Sequence, residues 1–292
     1  KVRKERHSRL QLGEFVRMNA TVTEFVRDVH HLMPPPPSGD TKGGGSTAAS
    51  AAAAAAASAL ASSSLAVELR EHASEFLRVA HEGAIRKLEA LVEMEQWKQV
   101  DVAPEFQDIC DAICRNQVPA QSEAELLRMR ADAAKLDAAA DGATGAAREV
   151  VVEGVGYKVV GSTLLLLAMA AHHLQCVMGL QSVGAQVAHL LPSLLKLFHT
   201  LCYKQVLMAG AMRQVSAGLK AITFKHLALA SQSLCLVLAL LPHLKAILAA
   251  YVPEAQRALL KEVDTVQADY EKHQQELINK FVAIVEDRRR DH

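Results

Sequence analysis

Residues 162–179, which read STLLLLAMAAHHLQCVMG, decide the fold class of this chain. Leucine and alanine carry most of the apolar content of the segment, and these residues favour helices over sheets. Gly179 can supply the C-cap that ends such a helix. We therefore expect a buried helix here and an all-α structure built from packed helices.

The same character continues to the C-terminus. Predicted helices cover 162–179, 182–203, 205–217, 219–249 and 253–289. Pro192 is expected to kink or split the second of these helices, and Pro253 suits the first turn of the last. His273 and Gln274 interrupt the apolar stripe of the last helix, which marks them as candidates for solvent access or partner contact. Three leucines in helices that are apolar on most faces are expected to be buried: Leu166, Leu227 and Leu238.

A short strand-like segment precedes these helices. Residues 149–161 read EVVVEGVGYKVVG, with valines on both sides of a glycine-containing turn. This pattern predicts one small β-hairpin near 149–161, which must lean on the following helices because two strands alone are marginally stable. The hairpin and the helical bundle together form the predicted domain 149–292.

The N-terminal half divides into helical and low-complexity stretches. Residues 1–33 are a candidate amphipathic helix, and 65–115 form a helical segment that contains Trp97. Between them, 34–64 begins with a run of prolines and contains a run of alanines, which predicts a flexible linker. Residues 116–148 are polar and alanine-rich and are interpreted as a second linker. The chain starts with Lys1 and shows no signal peptide, so we expect a fragment of a longer protein.

Charge and cysteine content argue against two classes of protein, nucleic-acid binders and disulfide-stabilised proteins. Lysine plus arginine and aspartate plus glutamate both number 32, so the formal net charge is zero. This balance argues against nucleic acid as a partner, because binding phosphates needs a basic excess. The five cysteines lie scattered in apolar helical contexts, which favours free thiols in a reducing compartment over a disulfide framework.

Two apolar runs, 164–171 and 234–241, invite comparison with a transmembrane span. Histidine, glutamine or proline lies close to each run. Neither run reaches the roughly 18 uncharged, mostly apolar residues that a spanning helix needs. We interpret both runs as buried helices of a bundle in water.

No constellation of residues predicts catalysis, a metal or a cofactor. His172 and Cys176 share a helix face, but a zinc site would need two further ligands at a recognisable spacing. Cys110 and Cys114 likewise lack metal-binding partners in the sequence. The dinucleotide fingerprint fails after Gly156 because position 159 is valine, and no nucleophile elbow, Walker loop or HExxH motif occurs. The sequence therefore predicts a protein that is not an enzyme.

Two stretches contain combinations of residues that a helix or a turn alone would not require. Residues 95–108 read EQWKQVDVAPEFQD, and residues 206–211, VLMAGA, are followed at 218–231 by GLKAITFKHLALAS. Together with the hairpin sequence, which occurs in the same order, these stretches resemble the C-terminal region of the vacuolar protein sorting protein fifty-four family. The resemblance runs from about residue 65 to residue 285.

The resemblance implies a fold, a function and a location. The implied fold is an elongated helical-bundle rod of the multisubunit tethering complex type. The family is a non-enzymatic subunit of the Golgi-associated retrograde protein complex, which captures endosome-derived vesicles at the trans-Golgi network and promotes fusion through SNARE proteins. The implied partners are the other subunits, SNARE proteins through the full-length protein, and the endosomal membrane as a peripheral contact of this region. The implied location is the cytosolic face of the trans-Golgi network and endosomes, besides the cytosol.

The resemblance also sets the residues of interest and the departures from the family. By that resemblance, the N-terminal assembly region and the last helices of the family are expected to lie outside this chain, and 34–64 is expected to be an insert. The two motif aromatics are expected to anchor a turn, and the two glycines to permit close helix approach or a helix break. The two lysines are candidates for contacts with acidic partners or lipid headgroups, or for a solvated face. The motif residues are Trp97, Glu105, Phe106, Gln107, Gly210, Gly218, Lys220 and Lys225.

A function of another class stays open at this point. Stacked amphipathic helices, a neutral charge and the lack of catalytic motifs also fit a cytosolic all-α interaction adaptor unrelated to membrane traffic.

Overall fold

The computed structural model describes residues 10–32, 64–120, 147–208 and 223–290. The predicted linker at 34–64 lies outside these ranges except for Ser64, as does most of the predicted linker at 116–148. The described residues fall into two compact units, Lys1–Ala80 and His81–His292.

The first unit contains helix α1 (Leu12–Leu32) and the first part of helix α2 (Ser64–Glu93). Helix α1 is amphipathic, since Phe15 is fully buried whereas Phe25 is 61% exposed. The ring of Phe15 stacks on that of Phe76 from α2, with centroids 4.5 Å apart and planes 8° from parallel. This aromatic pair joins the two helices of the first unit.

The second unit contains the rest of α2 and a succession of helices interrupted by one hairpin. The all-α class is therefore confirmed. In chain order the elements are α3 (Pro104–Cys114), β1 (Val150–Val152), β2 (Val155–Tyr157), α4 (Gly161–Gly179), a 3-10 turn (Gln181–Val183), α5 (Gly184–Val206), α6 (Phe224–Tyr251), a 3-10 segment (Glu254–Leu260) and α7 (Lys261–Arg290).

Helix α4 lies at the centre of the second unit. Every residue from Gly161 to Ala171 is buried, because α3, α5 and α6 all pack against this helix. Helices α5, α6 and α7 also pack against one another in pairs. Burial of Leu166 and Leu227 was predicted correctly, and each such side chain contributes about 1.5–3 kcal/mol. The prediction for Leu238 was wrong, since this residue lies half-buried on the outer side of α6.

Two helices are long and apolar enough to cross a membrane by length and composition, contrary to the expectation from the sequence. Their most apolar windows have mean hydropathies of 1.3 in α4 and 2.0 in α6. Within the bundle, 83% of the α4 window and 50% of the α6 window are buried. The composition of α4 thus matches its place as a core helix, which passes the same test of length and hydropathy as a membrane span.

The predicted hairpin near 149–161 is confirmed. Strands β1 and β2 pair antiparallel, with Val150 opposite Tyr157 and Val152 opposite Val155. The two turn residues have positive φ angles, 50° at Glu153 and 81° at Gly154, which is the backbone of a type I′ turn. This turn matches the right-handed twist of the strands, so the two-residue connection fixes the register of the hairpin.

Several predicted details of the C-terminal helices were wrong. Of the two effects expected of Pro192, a kink or a split, the split does not occur, since α5 continues through it from Gly184 to Val206. The last helix begins at Lys261, after a 3-10 segment, rather than at Pro253. His273 is only 1% exposed and so gives no access to solvent. A separate helix was predicted at 205–217, but residues 205 and 206 form the end of α5. The part of that prediction from 209 onward lies outside the described residues.

Candidate functional site

The first family motif forms an extended segment between α2 and α3 and continues into the first turn of α3. We call residues 95–107 the Trp97 strap. The segment has few internal hydrogen bonds and instead bonds to residues 147–162, which lie about 50 positions later in the chain.

Trp97 anchors this segment in the interior. Its side chain is 1% exposed, and its indole Nε1–H donates to Oε1 of Gln205 on α5 over 3.3 Å. Its backbone φ angle is 51°, in the left-handed region that a bulky residue rarely adopts. The buried indole with a satisfied N–H compensates for this local strain, because an aromatic side chain of this size dominates the packing around it.

Glu95 connects the strap to the start of the core helix. One of its carboxylate oxygens accepts a hydrogen bond of 2.8 Å from the backbone N–H of Ser162, in the first turn of α4. No side chain at the N-cap position, Val160, serves this purpose. A carboxylate at this place satisfies a free amide and complements the positive end of the helix dipole.

The middle of the strap pairs with the segment that flanks the hairpin. Val100 N–H donates to Val159 O over 3.1 Å, and Val102 N–H donates to Ala147 O over 2.7 Å. The side chain of Gln99 adds a bond of 2.6 Å to the carbonyl of Arg148. These contacts hold both ends of the hairpin segment.

The end of the strap caps the outer edge of the hairpin. Gln107, on α3, accepts a hydrogen bond from Val151 N–H over 2.8 Å and donates one to Val151 O over 2.7 Å. The amide thus replaces the backbone of a further strand beside β1. Phe106 is 2% exposed, and Glu105 is half-buried in the first turn of α3 behind Pro104.

The second family motif lies partly outside the described residues. Gly210, Gly218 and Lys220 all fall in the stretch 209–222. Lys225 is described, and its side chain is exposed in the first turn of α6. This turn begins with a capping box, in which Thr223 and His226 each bond the other's backbone.

A pair of buried histidines was not predicted from the sequence. His173 of α4 is 1% exposed, and one of its ring nitrogens, Nε2, lies 3.1 Å from Nδ1 of His81 on α2. The other, Nδ1, lies 2.7 Å from the carbonyl of Met169, so it must carry the proton. His81 therefore donates to His173. Burial lowers the pKa of His173 to about 3 and also lowers that of His81.

The histidine and cysteine that share a face of α4 were considered as metal ligands. His172 is half-buried and Cys176 is buried. The histidine that bonds His81 of α2 is the next residue, His173. Burial raises the pKa of the thiols of Cys110 and Cys202, which keeps both neutral. Within the four described ranges, no group of three histidine, cysteine or carboxylate side chains is placed to hold a metal ion.

A shallow cleft of about 330 Å³ lies between α5 and α7. Two polar pairs border it, a contact of 2.9 Å between His189 and Glu262 and an ion pair of 3.7 Å between Lys196 and Asp269. Each basic residue comes from α5 and each acidic residue from α7. The pairs are exposed, so they contribute little to stability, about 0–1 kcal/mol each.

Comparison with known proteins identifies the relatives of this chain. Residues 154–288 match the family described as Vps54-like protein. The chain is 36% identical over 231 residues to the vacuolar protein sorting-associated protein 54 of Rattus norvegicus, and 35% identical over 228 residues to that of Homo sapiens. It is 27% identical over 283 residues to the chloroplastic protein of the same name from Arabidopsis thaliana.

These alignments each cover 77% of this chain, whereas the chain spans only 22% of the length of the rat and human relatives. No solved structure matches the chain significantly. The chain belongs to the Vps54-like protein family and corresponds to its C-terminal region.

Proposed function

We propose that this chain is the C-terminal part of a non-enzymatic subunit of a vesicle-tethering complex, the Golgi-associated retrograde protein complex. In this role it acts in retrograde transport from endosomes to the trans-Golgi network. The observation that carries the proposal is the 36% identity over 231 residues to a protein named for vacuolar protein sorting.

The contacts of the motif residues support a scaffold within that complex. Trp97, Phe106 and Gln107 direct their side chains into the chain itself, toward the core and the hairpin. Such residues build a stable helical surface and leave partner contacts to exposed positions. Among the described motif residues, Lys225 is the exposed cation, and we propose it as a contact for acidic partners or lipid headgroups.

The proposed partners are the other subunits of the complex, SNARE proteins through the full-length protein, and the endosomal membrane as a peripheral contact. The proposed location is the cytosolic face of the trans-Golgi network and endosomes, together with the cytosol. The neutral net charge gives no general attraction to nucleic acid, so none is proposed as a partner.

A chimera tests the proposal directly. The region of the human relative that aligns with this chain is replaced by residues 65–290, and the chimera is expressed in human cells that lack the endogenous protein. We expect it to restore endosome-to-Golgi return of a cargo receptor and to co-precipitate the other subunits. A chimera that carries Lys225→Glu, at an exposed position, separates surface contact from folding.

The matched control is Lys98→Glu, another exposed lysine outside the bundle helices. We expect Lys225→Glu to lower membrane recruitment while Lys98→Glu does not. A stable chimera that assembles but leaves cargo return unrestored would contradict the tethering role and favour a cytosolic adaptor. Equal recruitment of both lysine variants would contradict only the proposed contact at Lys225.

A further inference from the structure

The contact between α5 and α7 contains polar groups at a place where apolar side chains would suffice. His273 of α7 is 1% exposed and lies on the inward stripe that also carries Tyr270 and Leu277. Neither ring nitrogen of His273, nor Nε2 of His199 on α5, has a hydrogen-bond partner among the residues that the structure describes. Buried polar groups are normally bonded, so these nitrogens call for a physical explanation.

Aromatic rings surround the His273 imidazole. The ring of His199 lies 4.8 Å away and almost perpendicular, at 86°, and that of Tyr203 lies 5.0 Å away at 65°. Tyr270 stands 5.1 Å from His199, and its hydroxyl donates to the carbonyl of Leu195 over 2.7 Å. We call His199, Tyr203, Tyr270 and His273 the α5–α7 ring cluster. Perpendicular rings let a neutral imidazole direct an N–H at a ring face, which is a weak stabilising contact.

The two histidines of the cluster have different charged neighbours. Burial is the largest effect on His199 and lowers its pKa. The carboxylates of Asp269 and Glu276 raise this pKa, as does the hydrogen bond from a ring N–H to the backbone carbonyl of Asp269. The Lys196 ammonium lowers it. Burial, and to a smaller extent the neighbouring His199, lower the pKa of His273 to about 3. Among the residues that the structure describes, no carboxylate offsets these effects at His273.

The two tyrosines of the cluster, and Cys235 beside it, carry no charge at neutral pH. Tyr203 bonds Glu276, which raises the pKa of its hydroxyl, and burial raises that of Tyr270. From α6, Cys235 faces this part of α7 and accepts a hydrogen bond from Gln274, and burial raises the pKa of its thiol. A proton on His273 would therefore lie in an apolar surrounding without a counter-ion.

We propose that the α5–α7 ring cluster is a proton-sensitive joint, which holds α7 on α5 while His199 and His273 are neutral and opens when a ring nitrogen of His273 takes up a proton. The proton comes from solvent and binds the free lone pair of the imidazole, so no bond is broken. The resulting cation has to reach water, and α7 must leave α5 for this to happen. The joint does not depend on the proposed function.

The test compares the 292-residue chain with His273→Phe, which keeps an aromatic ring but cannot titrate. Unfolding by urea is measured from pH 7.5 to 5.5, with hydrogen exchange of the α7 amides corrected for intrinsic rates. An opened joint exposes an ordinary imidazole, which binds a proton below about pH 6.5. For each unit by which the pH is lowered in that range, the equilibrium constant for folding should therefore fall about tenfold more in the native chain than in the variant. The α7 amides should lose protection before those of α4.

The control is His189→Gln, which changes an exposed histidine at the same pair of helices. We expect this variant to follow the native chain. Parallel pH curves for the native chain and His273→Phe would overturn the proposal, as would simultaneous loss of protection in α4 and α7.

A second measurement needs no variant. The imidazole resonance of His273 in the native chain should show no titration between pH 7.5 and 5.5 while the joint is closed. A normal titration near pH 6.5 would mean that water already reaches the ring, and the joint would not exist. This measurement decides the question even where His273→Phe fails to fold.

Discussion

The side-chain amide of Gln107 bonds both the N–H and the carbonyl of Val151, so a single residue of the first motif completes the edge of the hairpin. Replacing Gln107 by alanine removes both bonds, together with the bond that its Nε2 donates to Oδ1 of Asp111 over 2.7 Å, and lets water in at a partly exposed site. We expect Gln107→Ala to lower the free energy of unfolding by about 1 kcal/mol, as judged by urea denaturation.

Asp108→Ala, at the adjacent exposed position of α3, is the control and should change stability by less than about 0.5 kcal/mol. If both variants were equally stable, the bonds between Gln107 and Val151 would not contribute, and the motif would need another explanation.

Two helical glycines, Gly184 and Gly83, allow a matched pair of substitutions at single residues. A Cβ atom on Gly184 would lie 2.6 Å from the carbonyl oxygen of Tyr251, where α5 begins against the end of α6, whereas one on Gly83 would meet nothing within 4 Å. We expect Gly184→Ala to destabilise the chain by about 1–3 kcal/mol through the forced backbone shift. Gly83→Ala should be stabilising by about 0.5–1 kcal/mol, because alanine is the better helix former. Thermal melts that rank the two variants in the opposite order would contradict the packing of α5 on α6.

At the scale of elements, α4 and α6 differ in how they use a similar apolar composition. Leu166 of α4 is 1% exposed, while Leu238 on α6 is half-buried. Leu166→Ala should therefore cost about 2–5 kcal/mol, which includes the cavity it leaves. Leu238→Ala should cost clearly less, since water already covers part of the site. Equal losses for the two variants in denaturant titrations would mean that the outer face of α6 is covered.

At the scale of the whole molecule, buried neutral histidines make stability depend on pH. Burial lowers the pKa of His81, His173, His199 and His273, and to about 3 for His173 and His273. The unfolded chain binds protons near pH 6.5 but the folded chain does not, so this stability is complete well above pH 6.5 and is lost as the pH falls below it. For His173 and His273 the loss continues toward pH 3, with a slope of about 1.4 kcal/mol per pH unit for each.

Urea titrations at pH 7.5, 6.5 and 5.5 check this expectation. The free energy of unfolding should fall less between the first two values than between the last two, because an imidazole of the unfolded chain is only half protonated at pH 6.5. A constant value down to pH 5.5 would mean that the four rings are accessible to protons in the folded chain.

The sequence by itself determined the helical class, the position of the hairpin and the family, because each depends on local information. Leucine and alanine content sets helix propensity, valines around Glu153-Gly154 set the strands and turn, and the motif at 95–108 is contiguous. Burial at Leu166 and Leu227 followed from helices that are apolar on most faces. For the same reason, the motif could be found without knowledge of its contacts.

Only the tertiary structure decided what these residues touch. Gln107 reaches Val151 across 44 positions of sequence, and Trp97 reaches Gln205 across 108. His273 looked like an interruption of an apolar stripe, yet aromatic side chains of α5 enclose it. Periodicity reports which face of a helix is apolar, but not which other helix covers that face, and side-chain pairing between distant segments depends on how the helices pack.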